Sequence, residues 1–192
     1  ITLAALDAGK HVMVEARMAM NATEAHEMAT TAMQHPELIT QIVPSPMTLH
    51  LDNTIKRLLA ENYLGDIIAV EVSTAGNFPD FDSPLHWRHD RKLSGMNIMS
   101  LGIWYEALMR WLGPATSIMA MGQTVVRRRT NSQGQQITVQ IPDYLNVMGE
   151  MACGAQLHMR LSSVTGLGQT EDSLTLFGTQ GTLPIRGGKL YG

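Results

Sequence analysis

The spacing of apolar residues changes along this chain, and that change constrains the fold more than any other feature. Up to residue 43, helix and strand patterns alternate: an apolar helix-like run at Ile1, Leu3, Ala4, Ala5 and Leu6, a short run from His11 to Val14, a helix over 22–34, and a second apolar run from Leu38 to Val43. This is the rhythm of a parallel sheet, because a crossover helix must return the chain before two strands can run side by side. Asn21 with Glu24 three positions later marks the start of the 22–34 helix as a capping box, in which each side chain satisfies a free backbone N–H.

Pro44 and Pro46 punctuate the chain and predict a domain crossing. A helix over about 48–62 follows, with Leu51, Ile55, Leu58 and Leu59 on one face and Gly65 at its end. From there the dominant period is two: Ile68, Val70 and Val72, then Ile137, Val139 and Ile141, then Ala155, Leu157, Met159 and Leu161, then Leu174 and Leu176. Turns at Gly134, Cys153-Gly154 and 178–181 join short strands and so predict antiparallel pairing. A second helix over about 97–112 stops at Gly113-Pro114, a C-cap glycine followed by a breaker. The expected class is α+β: a remnant of a parallel α/β layer over 1–43, then a mainly antiparallel open-faced sheet with helices on one side over 44–192. The apolar side of strands such as 155–161 is expected to lie beyond the reach of the helices and to seek a second copy, so a homodimer is the minimum expected assembly.

With 192 residues, 44% of them hydrophobic, the chain can bury one sizeable core. A net charge of −3 and a single basic run, Arg127 to Arg129, argue against nucleic acid, and that run reads as a solvated turn. No stretch is apolar for the roughly 20 residues a membrane helix needs. The single Cys153 forms no internal disulfide, which fits a reducing cytoplasm. The 14 methionines read as adaptable core and interface filler. Ile1 is no initiator methionine and both ends fall inside patterned text, so the chain reads as a fragment.

Between Phe78 and Gly95 lies a long polar loop carrying His86, Trp87, Arg88, His89 and Asp90, and loops of this length usually have a function. His89 is the group expected to titrate near neutral pH and to serve as acid or base, against the alternative of a solvated loop residue. Trp104 offers a flat surface for a sugar ring, or equally packs with Leu101, Tyr105, Leu108, Trp111 and Leu112 in a helix core. His86 and His89 have ligand-like spacing without two further partners, so no metal is expected. The pairs in Gly166-Leu167-Gly168 and Gly187-Gly188 lack a strand-turn-helix context and do not form a phosphate-binding turn.

Four stretches carry a resemblance. They are Gly9-Lys10-His11-Val12-Met13-Val14-Glu15-Ala16-Arg17-Met18-Ala19; Trp87-Arg88-His89-Asp90 with Ser94-Gly95 and Leu101-Gly102-Ile103-Trp104-Tyr105; the Gly154 hairpin; and Phe177-Gly178-Thr179-Gln180-Gly181-Thr182-Leu183. In order and spacing they resemble the Gfo/Idh/MocA oxidoreductase family. The resemblance implies that 1–43 ends a Rossmann nucleotide domain and that 44–192 is a substrate and oligomerisation domain. It implies NAD or NADP as cofactor and hydride transfer on a sugar, polyol or similar hydroxyl compound, with sheets paired face to face. The family's phosphate-binding turn would lie before Ile1, so these 192 residues alone are expected to bind no cofactor.

By resemblance, Glu15, Ala16, Arg17, Trp87 and Arg88 would face the cofactor and His86 and Trp104 the substrate. The family's catalytic lysine, aspartate and histidine correspond to Ala16, Ser100 and Trp104, none of which is an ordinary proton-transfer group. His89, Asp90 and Tyr105 are the candidates to replace them. The rival reading is a ligand-binding or assembly module that has kept the fold and lost the redox chemistry.

Overall fold

A computed structural model describes residues 1–192 other than Ala16, Pro46, Met47, Asn97, Gln169 and Thr170, and only the backbone of Met99 and Gly168. The alternating start folds as expected into α1 (Thr2–Asp7), β1 (Val12–Val14), α2 (Ala22–Gln34) and β2 (Thr40–Ile42). β1 and β2 pair in parallel, Val12 opposite Thr40 and Val14 opposite Ile42. Asn21 caps α2, its Oδ1 accepting the Glu24 N–H at 3.0 Å. The reciprocal half of the box differs from expectation: Glu24 Oε2 accepts from Met20 N at 2.9 Å, one residue before the cap.

After the prolines come α3 (Leu49–Ala60), β3 (Ile67–Ser73), a 3-10 turn (Trp87–His89), α4 (Arg91–Ser94) and α5 (Met99–Leu112). The strands that follow are β4 (Ala115–Gln123), β5 (Arg128–Thr130), β6 (Gln136–Thr138), β7 (Tyr144–Met151), β8 (Gln156–Ser162), β9 (Ser173–Gly178), β10 (Thr182–Arg186) and β11 (Lys189–Leu190). A seven-stranded sheet runs β11-β10-β9-β3-β8-β7-β4, and β5 with β6 forms a separate hairpin. Every neighbour pair of the large sheet is antiparallel except β3 with β8, which run parallel. The class is α+β, as expected.

Helix α5 shows why the core sits where it does. Trp104, Ala107, Leu108, Trp111 and Leu112 recur at three- and four-residue steps and are all buried, with Ile55 of α3, against Val70, Val147, Leu157, Met159, Leu161, Leu174 and Leu176 of the sheet. Each such aliphatic side chain contributes roughly 1.5–3 kcal/mol by leaving water. The glycine-rich turn between β9 and β10 docks on the loop after α3: Gln180 N donates to Leu64 O at 2.8 Å and Thr179 N to Asp66 O at 2.9 Å. An added Cβ at Gly178 would stand 2.2 Å from the Leu64 carbonyl oxygen, so this position of the motif admits no side chain.

Two expectations are corrected. The alternating run at 137–141 is a strand only as far as Thr138; Val139 and Ile141 are buried beyond it. More consequentially, the apolar side of 155–161 does not face away from the helices. Leu157, Met159 and Leu161 are buried under them, and the opposite side of β8 exposes Gln156 and His158. Exposed apolar residues instead gather on β4 and β7, where Met119 pairs with Met148 and Met121 with Asn146.

Candidate functional site

Arg17 lies in the segment that leaves the carboxyl end of β1, the end at which parallel α/β sheets receive ligands. It meets the 3-10 turn there: its guanidinium lies 5.9 Å and that of Arg88 4.5 Å from the centre of the Trp87 ring. Burial, and next the charge of Arg88, hold the Arg17 pKa below its usual value. Arg17 Nη1 is buried and has no hydrogen-bond acceptor among the described residues.

Local hydrogen bonds fix this corner. Arg88 N donates to His86 Nδ1 and His86 N to His89 Nδ1, each at 3.3 Å, which closes the turn from both sides. Asp90 caps α4 by accepting the Lys92 N–H at 2.8 Å. The Ser94 hydroxyl reaches back to Arg88 O at 3.0 Å. Because His89 Nδ1 accepts a backbone N–H, its neutral ring carries the proton on Nε2.

A cleft of about 530 Å³ opens beside these groups. Arg17, Arg88, His89 and Ser100 line it together with Asn77, Arg129, Ser163 and Asp172. Asn77 and Ser163 follow the carboxyl ends of β3 and β8, the parallel pair of the large sheet, so strand ends from both sheets meet at the cleft. Burial lowers the His89 pKa, the charges of Arg129 and His86 lower it further, and Asp143 opposes them. The net shift favours the neutral ring over the imidazolium.

The cleft gathers Arg17, Arg88, His89 and Ser100 of the expected site residues and leaves others out. Glu15 and His86 are exposed and do not line it, Trp87 is 46% exposed under the two guanidiniums, and Ala16 lies outside the described residues. Asp90 serves as a helix cap. Tyr105 faces a neighbouring cavity of about 740 Å³ shared with Met18, Met20 and Arg91, and its hydroxyl accepts the Ala115 N–H at 2.9 Å. Trp104 is 3% exposed within the α5 core, so its ring packs against protein instead of presenting a stacking surface. Arg129 was expected in a solvated turn; β5 exposes Arg128 and turns Arg129 toward the cleft, where its Nη1 donates to Ser83 O at 3.0 Å. No local sequence pattern distinguishes Arg129 from Arg127 and Arg128, both of which are exposed. Among the described residues there is no cluster of three or more His, Cys, Asp or Glu arranged to hold a metal ion, and no helix is long and apolar enough to cross a membrane.

The family model of the GFO/IDH/MocA C-terminal domain matches residues 53–184. No curated protein sequence matches the chain significantly. Among solved structures, an NAD binding oxidoreductase from Klebsiella pneumoniae has a TM-score of 0.83 at 24% identity, over 97% of this chain and 50% of that one. Levoglucosan dehydrogenase in complex with NADH and L-sorbose gives 0.82 at 18% identity, over 97% and 50%. WlbA dehydrogenase from Chromobacterium violaceum, in complex with NADH and UDP-GlcNAcA, gives 0.81 at 21% identity, over 100% and 54%. The chain thus spans about half the length of the structures whose fold it shares.

Proposed function

We propose, from the premise that this chain belongs to the GFO/IDH/MocA family, that it forms the substrate side of a nicotinamide-dependent oxidoreductase acting on a sugar, polyol or similar hydroxyl compound. Residues 1–43 would close the nucleotide domain and 44–192 would carry the substrate. One observation supports this above the others: Arg17, Arg88, His89 and Ser100 converge on a single cleft at the carboxyl ends of strands.

The residues present fit a nicotinamide cofactor. The segment carrying Glu15 leaves β1 at the strand end where such a group is received. When bound, the nicotinamide supplies the hydride acceptor or donor. The chain's own residues bind and orient the reacting carbon. His89, neutral and protonated on Nε2, donates a hydrogen bond to the reacting oxygen and polarises the carbonyl form. Ser100 hydrogen-bonds a neighbouring hydroxyl.

Steady-state turnover of the full-length protein with NAD(P) and a panel of sugars and polyols tests this. His89→Ala is expected to lower kcat about 100-fold or more, the usual cost of removing a preorganised hydrogen-bond donor to the oxygen on which charge develops. Turnover unaffected by His89→Ala removes His89 from the site. The rival reading, a binding or assembly module without redox activity, draws on Ser100 and the core-bound Trp104 at two family catalytic positions. Under it the native protein binds ligand without turnover, and Ala16→Lys with Ser100→Asp creates activity. Trp104→His, the change at the third family position, would empty part of the core and is expected to destabilise the fold.

A further inference from the structure

Three arginines, Arg17, Arg88 and Arg129, and three aspartates, Asp80, Asp143 and Asp172, line the cleft, so its formal charges cancel. Their hydrogen bonding does not. Asp80 accepts the Asp82 and Ser83 N–H groups at 3.0 Å each, along with the Ser83 hydroxyl. Asp143 accepts Val125 N–H at 2.7 Å and Val126 N–H at 2.9 Å, and Asp172 accepts Ala75 N–H at 2.7 Å. These carboxylates are thus held by backbone amides. Among the described residues, none of the three arginines lies within ion-pair distance of a carboxylate.

The arginines are engaged far less. Arg129 gives one N–H to a carbonyl, Arg88 lies over the Trp87 ring, and Arg17 Nη1 is buried with no acceptor. The Arg17 and His89 pKa values are lowered first by burial and next by a neighbouring arginine, Arg88 and Arg129 respectively. A buried guanidinium N–H without an acceptor, as at Arg17 Nη1, is costly, and an anionic oxygen supplied by a ligand recovers that cost in a short, charge-assisted bond. The planar fork of arginine matches a carboxylate with two parallel N–H bonds.

We infer that the cleft takes an anionic substrate, a sugar acid whose carboxylate is held by Arg17 and Arg88 while its hydroxyl-bearing carbons face His89 and Ser100. This rests on the reading of the cleft as the substrate side, and it adds the substrate's chemical class. A cofactor phosphate is the other source of anionic oxygens for Arg17. Calorimetry on the full-length protein, with and without NADH, separates the two using D-glucuronate, D-galacturonate and D-gluconate, each beside its neutral counterpart.

At least one acid is expected to bind about tenfold or more tighter than its neutral counterpart, as a charged hydrogen bond would give. Arg17→Met should abolish that preference and Arg17→Lys should retain part of it. Arg88→Met provides the same test should Arg17→Met fail to fold. No acid preferred over its neutral counterpart overturns the inference, as does a preference that survives both methionine variants. Arg17→Met weakening NADH binding while the acid preference persists assigns the guanidinium to the cofactor and overturns it too. Binding is read without turnover, so an acid preference in a protein that transfers no hydride would defeat the proposed reaction and leave this inference standing.

Discussion

Gly95 has φ 65° and ψ −156°, a backbone region that residues with a Cβ avoid. An added Cβ there would also stand 2.0 Å from the carbonyl oxygen of Met20, a backbone atom in the segment that carries Arg17. The glycine therefore lets the strand end after β1 lie against the turn after α4, and the Arg17 position depends on it. Gly95→Ala combines a strained dihedral with a backbone clash, for which about 2–4 kcal/mol of destabilisation is expected. Urea denaturation measures it; an unchanged midpoint would mean that Met20 is not seated on Gly95. The Ser94-Gly95 dipeptide was visible in the sequence, but the contact that gives it meaning joins residues 20 and 95, a distance no local pattern encodes.

Helices α3 and α5 are joined by one buried carboxylate as well as by apolar packing. Asp52 Oδ1 accepts from Trp111 Nε1 at 2.7 Å and from Arg110 Nε at 3.1 Å, and its Oδ2 lies 2.7 Å from Lys56 Nζ. Arg110 also bonds Glu106 and, at 3.2 Å, the Thr48 hydroxyl, while Glu106 Oε2 accepts the Ser45 N–H at 3.0 Å. The crossing at residues 45–48 is thereby fastened to α5. Burial on its own would raise the Asp52 pKa, but hydrogen bonds from Lys56, Trp111 and Arg110 together outweigh it and hold the carboxyl below its usual value. A carboxyl depressed in the folded state stabilises above its unfolded pKa of about 4, and that stabilisation is lost as pH falls through the lower folded value. Asp52→Ala leaves the indole N–H and the guanidinium short of an acceptor and is expected to cost about 2–3 kcal/mol at neutral pH, with the difference from wild type shrinking below about pH 4. Thermal unfolding across pH checks this, and a pH-independent difference would assign the loss to packing. Apolar spacing made these helices and most strands legible, since 3.6- and two-residue periods survive in sequence. β4 was not legible, because all its residues but Ala115 are exposed and no alternation separates its faces. Nor was the outward face of β8: the period identifies the apolar side but not which side the helices cover.

At the scale of the molecule, that reversal moves the expected self-association to another surface. Met119 and Met121 are 73% and 71% exposed on β4, Met148 is 54% exposed on β7, and Ile118 adds to the same edge. β4 is also the end strand of the seven-stranded sheet, with β7 as its one neighbour, so apolar surface and open backbone hydrogen-bonding groups coincide there. Exposed methionines adapt to a partner surface at little packing cost, and an apolar patch on an open edge tends to be covered by a second chain. By contrast, β8 exposes His158 and Gln156 and β3 exposes Glu71, with Ile68 the one large apolar side chain exposed on β3. A homodimer formed through the β4–β7 end is the expected assembly. Met119→Lys with Met148→Lys places like charges on facing copies while leaving the folded chain intact, because neither side chain is buried. Light scattering of the full-length protein at tens of micromolar should give a dimer for wild type and a monomer for the double variant, with unchanged circular dichroism in both. A dimer that survives both lysines would locate the interface away from this edge, and a monomeric wild type would remove self-association from the account.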